Sequence, residues 1–393
     1  MDENARGALY EGREQTLVKH LILQKYLERF AHIVGMKWES ITYVDCFSGP
    51  WNLKSENFED SSFAIALDEL RKARESLKKF GRNLQLRCFF IEKNRQSYAR
   101  LKTFADATTD ATIDTKNSRL EDAIGDIVDF IRKGGPGTFP FIFIDPTGWT
   151  GFAMETIRPL LQLKPGEVLI NFMTGHVQRF ILSPLEESHE SFRALFGADS
   201  YRERLANKEQ QDREDAAVAL YMRNLKETGE FTHVCCAMVL HPEFDRTHFH
   251  LIYATRNAKG IEVFKDAEKQ AMMAMEKARA EAQQRRREHR TGQSELFESE
   301  VLHRSTHYES LRTRYLTRTE QAMRSWLEAK KQVSYDAAWE RALSVPMVWE
   351  SDLRQWLSEW SAQGLLHLTG LKPRERVPKR RSGVELIWRG TSG

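Results

Sequence analysis

The segment ITYVDCFSGPWNL, residues 41–53, decides the fold class. Its first half is apolar and β-branched, which predicts a strand over 41–45 that ends at Asp45. A turn containing Gly49 follows at once, and glycine lets the backbone come close to a ligand. In parallel α/β sheets, ligands bind where strands end in this way. We therefore expect this strand to deliver a loop to a ligand.

Further strand-like segments alternate with helical ones along the chain, at 86–94, 111–114, 139–145 and 167–173. Several are apolar on both faces, which is typical of a parallel sheet covered by helices on both sides. The segments 233–241 and 248–256 predict an antiparallel hairpin at the sheet edge. This order of elements resembles that of class I methyltransferases. The sequence therefore predicts an α/β protein with a class I methyltransferase-like Rossmann fold.

The length of 393 residues favours at least two domains. We predict a methyltransferase-like domain over 1–264, with an amphipathic N-terminal helix at 14–35 and a helical insertion at about 178–230. A charged helical connector is expected over 265–330. Residues 331–393 then read as helix, helix, strand, basic loop and strand, which is the pattern of a winged-helix domain.

Cysteine usage and hydropathy favour a cytoplasmic protein. The four cysteines lie in apolar segments, and their spacing fits neither a disulfide framework nor a zinc site. No run of about 18 apolar residues occurs, so no membrane span is expected. The start, MDENARGALYEG, lacks the basic tip and apolar stretch of a signal peptide. His248 and His250 alternate on one strand, but no further ligand completes a metal set, so we expect no metal.

The net charge of +3 conceals two basic segments, at 284–290 and 372–381. This asymmetry points weakly to a polyanionic partner such as DNA or RNA. The alternative is a solvated helix face for the first segment and a solvated loop for the second. The candidates for phosphate contacts in the second segment are Arg374, Arg376, Lys379, Arg380 and Arg381.

Acidic and amide side chains follow successive strands. Glu92 ends the second strand, where doubly wound folds place an acid on a ribose diol. Asp114 or Asn117, near the end of the third strand, stands where such folds read adenine. Ser118 is expected to cap the next helix. Together with Asp45, these residues predict a site for a nucleoside cofactor at one edge of the sheet.

The segment DPTGW, 145–149, closes the fourth strand beside the first. Asp145 and the backbone carbonyl of Pro146 can accept hydrogen bonds from a substrate amine, and Trp149 can stack on a base. Such an arrangement suits an in-line displacement, which gains from alignment and from acceptors placed where positive charge develops. The alternative is an Asp-Pro turn that only ends a strand.

Two of these segments resemble motifs of nucleic-acid amino-methyltransferases. DCFSG resembles their D-x-F-x-G cofactor motif, and DPTGW resembles their D-P-P-Y catalytic motif. The second proline and the adjacent aromatic are replaced by Thr147 and Gly148, with the aromatic one place later. The usual glycine after the cofactor loop is replaced at Pro50-Trp51. The resemblance implies S-adenosylmethionine as the cofactor, and the candidate cofactor contacts in this loop are Asp45, Phe47, Gly49 and Pro50.

A second resemblance covers more of the chain. KHLILQKYL, YVDCFSGPW, FIEKN and FIFIDPTGW together look like the three-Cys-motif partner protein family of bacteria. That resemblance implies a neighbouring three-Cys-motif protein as a partner, and it makes Lys19 and His20 further candidates for the active site. From the residues alone, a Lys-His pair on an amphipathic helix is more often a surface or boundary feature.

Two functions remain open at this point. The first is a methyltransferase that uses S-adenosylmethionine and acts on a nucleic-acid base amine, with a flipped or single-stranded base as its target. The second is a non-catalytic subunit that binds nucleic acid and retains a degenerate methyltransferase fold. Methylation of a protein or a small molecule is a third possibility that the fold does not exclude.

Overall fold

The structure is a computed structural model. It describes residues 9–49, 55, 58–181, 183, 185–197, 201–205, 208–292, 305–375 and 377–390. The chain divides into two compact units. The first comprises Met1–Val234 and Met238–His303, and the second comprises Cys235–Ala237 and Arg304–Gly393.

A seven-stranded sheet organises the first unit, with the strand order β3-β2-β1-β4-β5-β7-β6. The strands are β1 Ser40–Asp45, β2 Gln85–Ile91, β3 Thr112–Lys116, β4 Thr138–Ile144, β5 Glu167–Phe172, β6 His233–Leu240 and β7 Thr247–Thr255. Strands β1 to β5 are parallel, and β7 runs antiparallel to β5. The fold is therefore Rossmann-like and mostly parallel, and the predicted antiparallel edge hairpin is confirmed.

Burial explains why the central strands read as continuous apolar runs. Every residue of β1 and β5 is buried, whereas β3 at the sheet edge has no fully buried residue. Helices cover both faces of a parallel sheet, so a central strand has no polar side. The chain order reverses between β1 and β4, and a reversal of this kind opens a crevice at the carboxyl ends of the two strands.

Helices surround this sheet. They are α1 Glu14–Gly35, α2 Ser62–Lys78, α3 Arg95–Ala107, α4 Ile124–Lys133, α5 Met154–Leu161, α6 Thr174–Phe180, α7 Glu186–Phe196, α8 Tyr201–Leu205, α9 Gln210–Thr228 and α10 Ala258–Thr291. Helix α1 occupies the predicted range 14–35 and packs against α2 and α10. Its rings Tyr26 and Phe30 lie 5.4 and 5.3 Å from the ring of Phe141 in β4, which fixes α1 on the sheet.

The prediction that Ser118 caps a helix is wrong. Helix α4 begins at Ile124, and its N-cap position is Ala123, which makes no side-chain capping bond. The backbone N–H of Ser118 instead donates to the carbonyl of Glu92 at 3.2 Å. This bond holds the chain against the end of β2, so the helix begins only several residues later.

Two segments differ in detail from their sequence patterns. Helices α6 to α9 occupy the region where an insertion at 178–230 was expected. Helix α10 begins at Ala258, before the expected connector, and buries an apolar stripe that includes Ile261, Phe264 and Met272. Because charged residues dominate the composition of α10, this stripe is hard to see in the sequence.

In its described residues, the second unit contains three helices and a three-stranded antiparallel sheet of order β8-β10-β9. Its elements are α11 Thr306–Lys330, β8 Gln332–Ser334, α12 Tyr335–Leu343, α13 Glu350–Ala362, β9 Leu366–Thr369 and β10 Glu385–Trp388. Strand β8 has only three residues and was not predicted from the sequence. Trp339 and Trp360 are buried in the core of this unit. Among the helices described in both units, none combines the length and hydropathy that a membrane span requires.

Candidate active-site cleft

A cleft of about 760 Å³ opens along the carboxyl edge of the sheet. Four of the residues that line it directly follow a strand: Cys46 after β1, Glu92 after β2, Asp145 after β4 and Met173 after β5. Residues at the start of α1 and of β7 line other parts of the same cleft. Its size lies within the range of small-molecule sites, and its position is where open α/β sheets bind ligands.

Asp45 lies beneath the cleft and is fully buried. Its carboxylate accepts hydrogen bonds from the Ser62 hydroxyl at 2.6 Å, the Phe47 backbone N–H at 3.1 Å and the Tyr43 hydroxyl at 3.3 Å. Burial raises the pKa of Asp45 to about 6, although the Ser62 bond opposes this shift. In this arrangement Asp45 ties the loop after β1 to the start of α2. Its side chain does not line the cleft.

The loop after Asp45 does reach the cleft. Phe47 and Gly49 line it, as does Ser62 in the first turn of α2. Pro50, the other residue of the predicted cofactor loop, lies outside the described residues. The backbone at Ser48 is fixed by a 2.8 Å bond from its N–H to the carbonyl of Ile91. This bond joins the loop to the end of β2.

The structure separates the predicted ribose and adenine residues. Glu92 is buried and lines the cleft, and burial raises the pKa of its carboxyl. Asn117 donates to the carbonyls of Glu92 at 2.7 Å and Lys93 at 3.1 Å, so its amide N–H groups hold the end of β2. Asp114 is exposed in the middle of β3 and does not line the cleft. Of these predicted residues, Glu92 alone lines the cleft, and its Oε1 accepts from the backbone N–H of Asn94.

At the other end of the cleft, a polar chain joins three elements. Lys19 of α1 lies 2.5 Å from Oδ2 of Asp145, and the two side chains are 12% and 14% exposed. Oδ1 of Asp145 accepts from the amide of Asn171, at the end of β5, at 2.7 Å. Lys19 and Asp145 are 126 positions apart in sequence. The folded sheet therefore brings together the resemblance-based candidate Lys19 and the predicted catalytic acid.

Asn171 is 2% exposed and lines the cleft. Because Asp145 can only accept when ionised, the Asn171 amide must turn its N–H₂ group toward that carboxylate. Within the described part of the chain, the opposite atom, Oδ1 of Asn171, then has no hydrogen-bond partner. A buried acceptor without a partner is costly and often marks a functional position.

Sequence reasoning missed Asn171. The available signal was an amide near the end of the apolar strand EVLINF. His248 and Phe249 at the start of β7 also line the cleft and were not connected with it from the sequence. Burial, followed by the neighbouring His241 and His176, lowers the pKa of His248 to about 4.

His20 and Pro146 also line the cleft. His20 is buried, and its Nδ1 lies 2.9 Å from the Tyr10 hydroxyl. The side chain of Trp149, in contrast, is not part of the lining. Its ring stacks on Phe192 at 5.5 Å, and its indole N–H donates to Ser191 at 3.0 Å. The expected stacking of Trp149 on a target base does not match this placement, because helix α7 already covers the ring.

The basic candidates of the second unit have different surroundings. The guanidinium of Arg380 lies 4.1 Å from the Trp339 ring centre and 3.2 Å from Asp336, so its side chain packs on α12. Lys379 pairs with Glu375 at 2.9 Å on the surface. Arg374 and Arg381 are exposed. Arg376 lies outside the described residues. In the described ranges, no group of three or more His, Cys, Asp and Glu side chains is arranged to hold a metal ion.

The strand order and the cleft define a Rossmann-like α/β protein with a cleft at its topological switch point. The chain matches no family model and no curated protein sequence. Among solved structures, protein LPL1258 of Legionella pneumophila, from family DUF519, aligns over 65% of this chain and 91% of its own, with 11% identity and a TM-score of 0.39. A loganic acid methyltransferase solved with SAH aligns over 70% and 85%, with 8% identity and a TM-score of 0.30. The fold class stated above rests on the strand order and not on these alignments.

Proposed function

We propose that the chain is an S-adenosylmethionine-dependent methyltransferase that acts on an amine of a nucleic-acid base. The observation that carries this proposal is the arrangement of polar groups in one cleft. Glu92 stands at the end of β2, and Asp145 with Asn171 stands at the ends of β4 and β5. The first position suits a ribose diol, and the second suits a hydrogen-bond donor on the acceptor substrate.

The residues of the cleft fit the cofactor. Glu92 is an acceptor for the two ribose hydroxyls. Ser61, the N-cap of α2, and Ser62 open onto the cleft, and the partial positive charge of a helix N-terminus favours a carboxylate there. Arg13 and Lys19 also line the cleft, where they pair with Asp60 and Asp145. When bound, S-adenosylmethionine supplies an electrophilic methyl group on a sulfonium centre.

The chain's own contribution to transfer would be orientation. An amine entering between β4 and β5 meets the carboxylate of Asp145 and the unpartnered Oδ1 of Asn171, and both atoms accept hydrogen bonds. Lys19 fixes the rotamer of Asp145 through a contact of 2.5 Å between its ammonium group and Oδ2. Acceptors fixed in this way direct the nitrogen lone pair along the line of attack and stabilise the positive charge that develops on nitrogen.

The nucleic-acid part of the proposal draws on the second unit. Its order of helix, strand, helix, helix, strand and strand is compatible with a winged helix, in which the loop between β9 and β10 would form the wing. The exposed Arg374, Lys379 and Arg381 would contact phosphates from this wing, together with Arg376. Arg380 would stabilise the wing by packing on Trp339. The partner proposed here, a three-Cys-motif protein, rests on the sequence resemblance alone.

A second candidate is a non-catalytic subunit that binds nucleic acid. Two observations favour it. Both oxygens of Asp145 already have partners, Lys19 and Asn171, so a substrate amine must compete for the remaining lone pairs. Trp149, which would stand in for the aromatic of the catalytic motif, packs on α7. The two candidates differ in whether methyl transfer occurs.

Titration calorimetry with S-adenosylmethionine, followed by transfer of its labelled methyl group to total RNA, DNA and protein, tests the proposal. Glu92→Ala should weaken cofactor binding at least tenfold, since it removes a charged hydrogen-bond partner worth about 1.5–3 kcal/mol. Asp145→Ala should retain binding and lose transfer. Asp114→Ala, which removes an exposed carboxylate outside the cleft, is the matched control and should change neither. Wild-type transfer by Asp145→Ala would refute its catalytic role, and binding without transfer by the wild type would favour the second candidate.

A further inference from the structure

A surface at the mouth of the cleft has no role in the function proposed so far. It consists of the β6–β7 turn, residues 241–246, and the last turns of α10. Strand β7 is antiparallel to β5 and pairs His250 with Phe172, so this turn stands at the carboxyl edge of the sheet, beside the cleft. Arg246 precedes the cleft residue His248 by two positions. Arg246 is the last residue of the turn, directly before the start of β7 at Thr247.

An exposed aromatic ring between two cations marks this surface. Phe244 is 41% exposed. The guanidinium of Arg286 lies 4.1 Å from its ring centre, and that of Arg246 lies 5.3 Å away. Arg286 also donates to the backbone carbonyl of Glu243 at 3.1 Å, which fixes its side chain over the ring.

The surrounding acids are largely neutralised by other cations. Asp245, in the same turn, pairs with the buried Arg279 at 2.7 Å. Glu14 of α1 pairs with Arg285. Glu243 is an exposed acid that remains in the turn. Among the described residues, neither Arg246 nor Arg286 pairs with a carboxylate, so their charges face solvent.

A line of rings connects this surface with the cleft. The ring of Phe244 lies 4.8 Å from that of His241, and His241 lies 5.4 Å from His248, which lines the cleft. The pKa of His241 is lowered, first by its burial and then by the nearby cations Arg246 and Arg279. The line of rings therefore runs from Phe244 to the lining of the cleft.

We infer that this surface binds a single strand of nucleic acid next to the nucleotide that enters the cleft. Arg246 and Arg286 contact phosphates, and the exposed part of Phe244 stacks on a flanking base. A basic groove with interleaved aromatic rings is the general means by which proteins hold single strands. The inference rests on the proposed function, because it takes the occupant of the cleft to be a base. It adds a contact on the first unit that is separate from the basic loop of the second unit.

Binding to a fluorescein-labelled 20-nucleotide single strand of mixed sequence, as RNA and as DNA, tests this inference in the full-length chain. The variant is Phe244→Ala with Arg246→Gln and Arg286→Gln. We expect its affinity to fall at least tenfold. The slope of log K against log salt should also become less steep by about 1.4, the value for two phosphate contacts on a single strand.

The matched control is Phe80→Ala with Arg132→Gln and Lys133→Gln. It removes one ring that is 70% exposed and two exposed cations from the opposite edge of the sheet, where β2 and β4 begin. Its affinity and salt slope should equal those of the wild type. Thermal unfolding and S-adenosylmethionine binding should be unchanged in both variants, because none of these side chains lines the cleft.

Photo-crosslinking with a 5-iodouracil strand gives a second measurement, and we expect crosslinked peptides from 241–248. If the variant with Phe244→Ala, Arg246→Gln and Arg286→Gln binds like the wild type and crosslinks map only to 372–381, the inference is overturned. It is likewise overturned if the wild-type chain binds neither strand. Because this readout is binding and not turnover, a failure of the surface is distinguishable from a failure of the methyltransferase proposal, which cofactor calorimetry tests separately.

Discussion

The carboxyl group of Asp45 makes a quantitative prediction about stability. In the folded chain burial raises its pKa from 3.8 to about 6. Asp45→Asn keeps the shape of the side chain and removes its charge. The Asn oxygen can accept the Phe47 N–H, and its N–H₂ group can donate to the Ser62 hydroxyl, which is also able to accept. The second amide N–H can donate to the Tyr43 hydroxyl, which is also able to accept, so the variant is a neutral replacement at the same position.

The direction of the pH dependence follows from the raised pKa. Between pH 3.8 and about 6, the folded chain keeps a proton on Asp45 that the unfolded chain has released. Stability therefore falls as pH rises through this window and is constant above it. A shift of about two units at about 1.4 kcal/mol each gives a loss of roughly 3 kcal/mol. Asp45→Asn does not suffer this loss. Because the unfolded chain is already more than half ionised at pH 4, the variant should gain about 2 kcal/mol on the wild type between pH 4 and pH 7.

Urea unfolding at pH 4, 5, 6 and 7, with wild type and variant measured side by side, provides the test. Taking the difference at each pH cancels the other titrating groups. Asp129→Asn, which removes an exposed carboxylate from α4, is the matched control and should show no comparable trend. A difference between wild type and Asp45→Asn that stays constant within about 0.5 kcal/mol across the range would refute the reasoning.

Three further predictions concern other contacts. In a double-mutant cycle of Lys19→Met and Asp145→Asn, the coupling free energy of unfolding should be about 1–3 kcal/mol. This is less than for an ion pair buried away from water, because the cleft admits water. A coupling free energy near zero would contradict the ion pair. Tyr26→Phe should lower the free energy of unfolding by about 1–3 kcal/mol, because the buried carboxylate of Glu167 loses the hydrogen bond that the Tyr26 hydroxyl donates. An unchanged midpoint of urea unfolding would contradict this prediction. Trp149→Ala should lower the free energy of unfolding by about 2 kcal/mol, because the Trp149 ring packs on α7. Cofactor binding measured by calorimetry should be unchanged. Weaker cofactor binding with an unchanged free energy of unfolding would place the ring in the cleft instead.

The parallel sheet could be predicted because its signals are local. Buried central strands are apolar throughout, and the hairpin has two strand patterns joined by a short turn. The ends of β2 and β4 carried visible acids, Glu92 and Asp145, and both line the cleft. Helix α1 was equally clear, because its apolar residues recur with helical spacing.

The candidate site was less predictable, since its side chains depend on contacts between distant segments. Asp45 follows the same strand-end rule as Glu92, yet three hydrogen bonds turn its carboxylate inward. Asn171 gains its meaning only from Asp145 on the neighbouring strand. Ser118 looked like a helix cap, but its N–H is taken by the end of β2.

The sequence by itself determined which segments become strands and helices and which polar residues stand at strand ends, because both depend on periodicity over a few residues. Only the tertiary structure decided where those side chains point. It paired Lys19 with Asp145 across 126 positions, covered Trp149 with α7 and placed Phe244 between two arginines beside the cleft. The physical reason is that burial and hydrogen bonding in the folded chain depend on neighbours that are remote in sequence. The pattern of residues within a short segment does not indicate which remote residues these are.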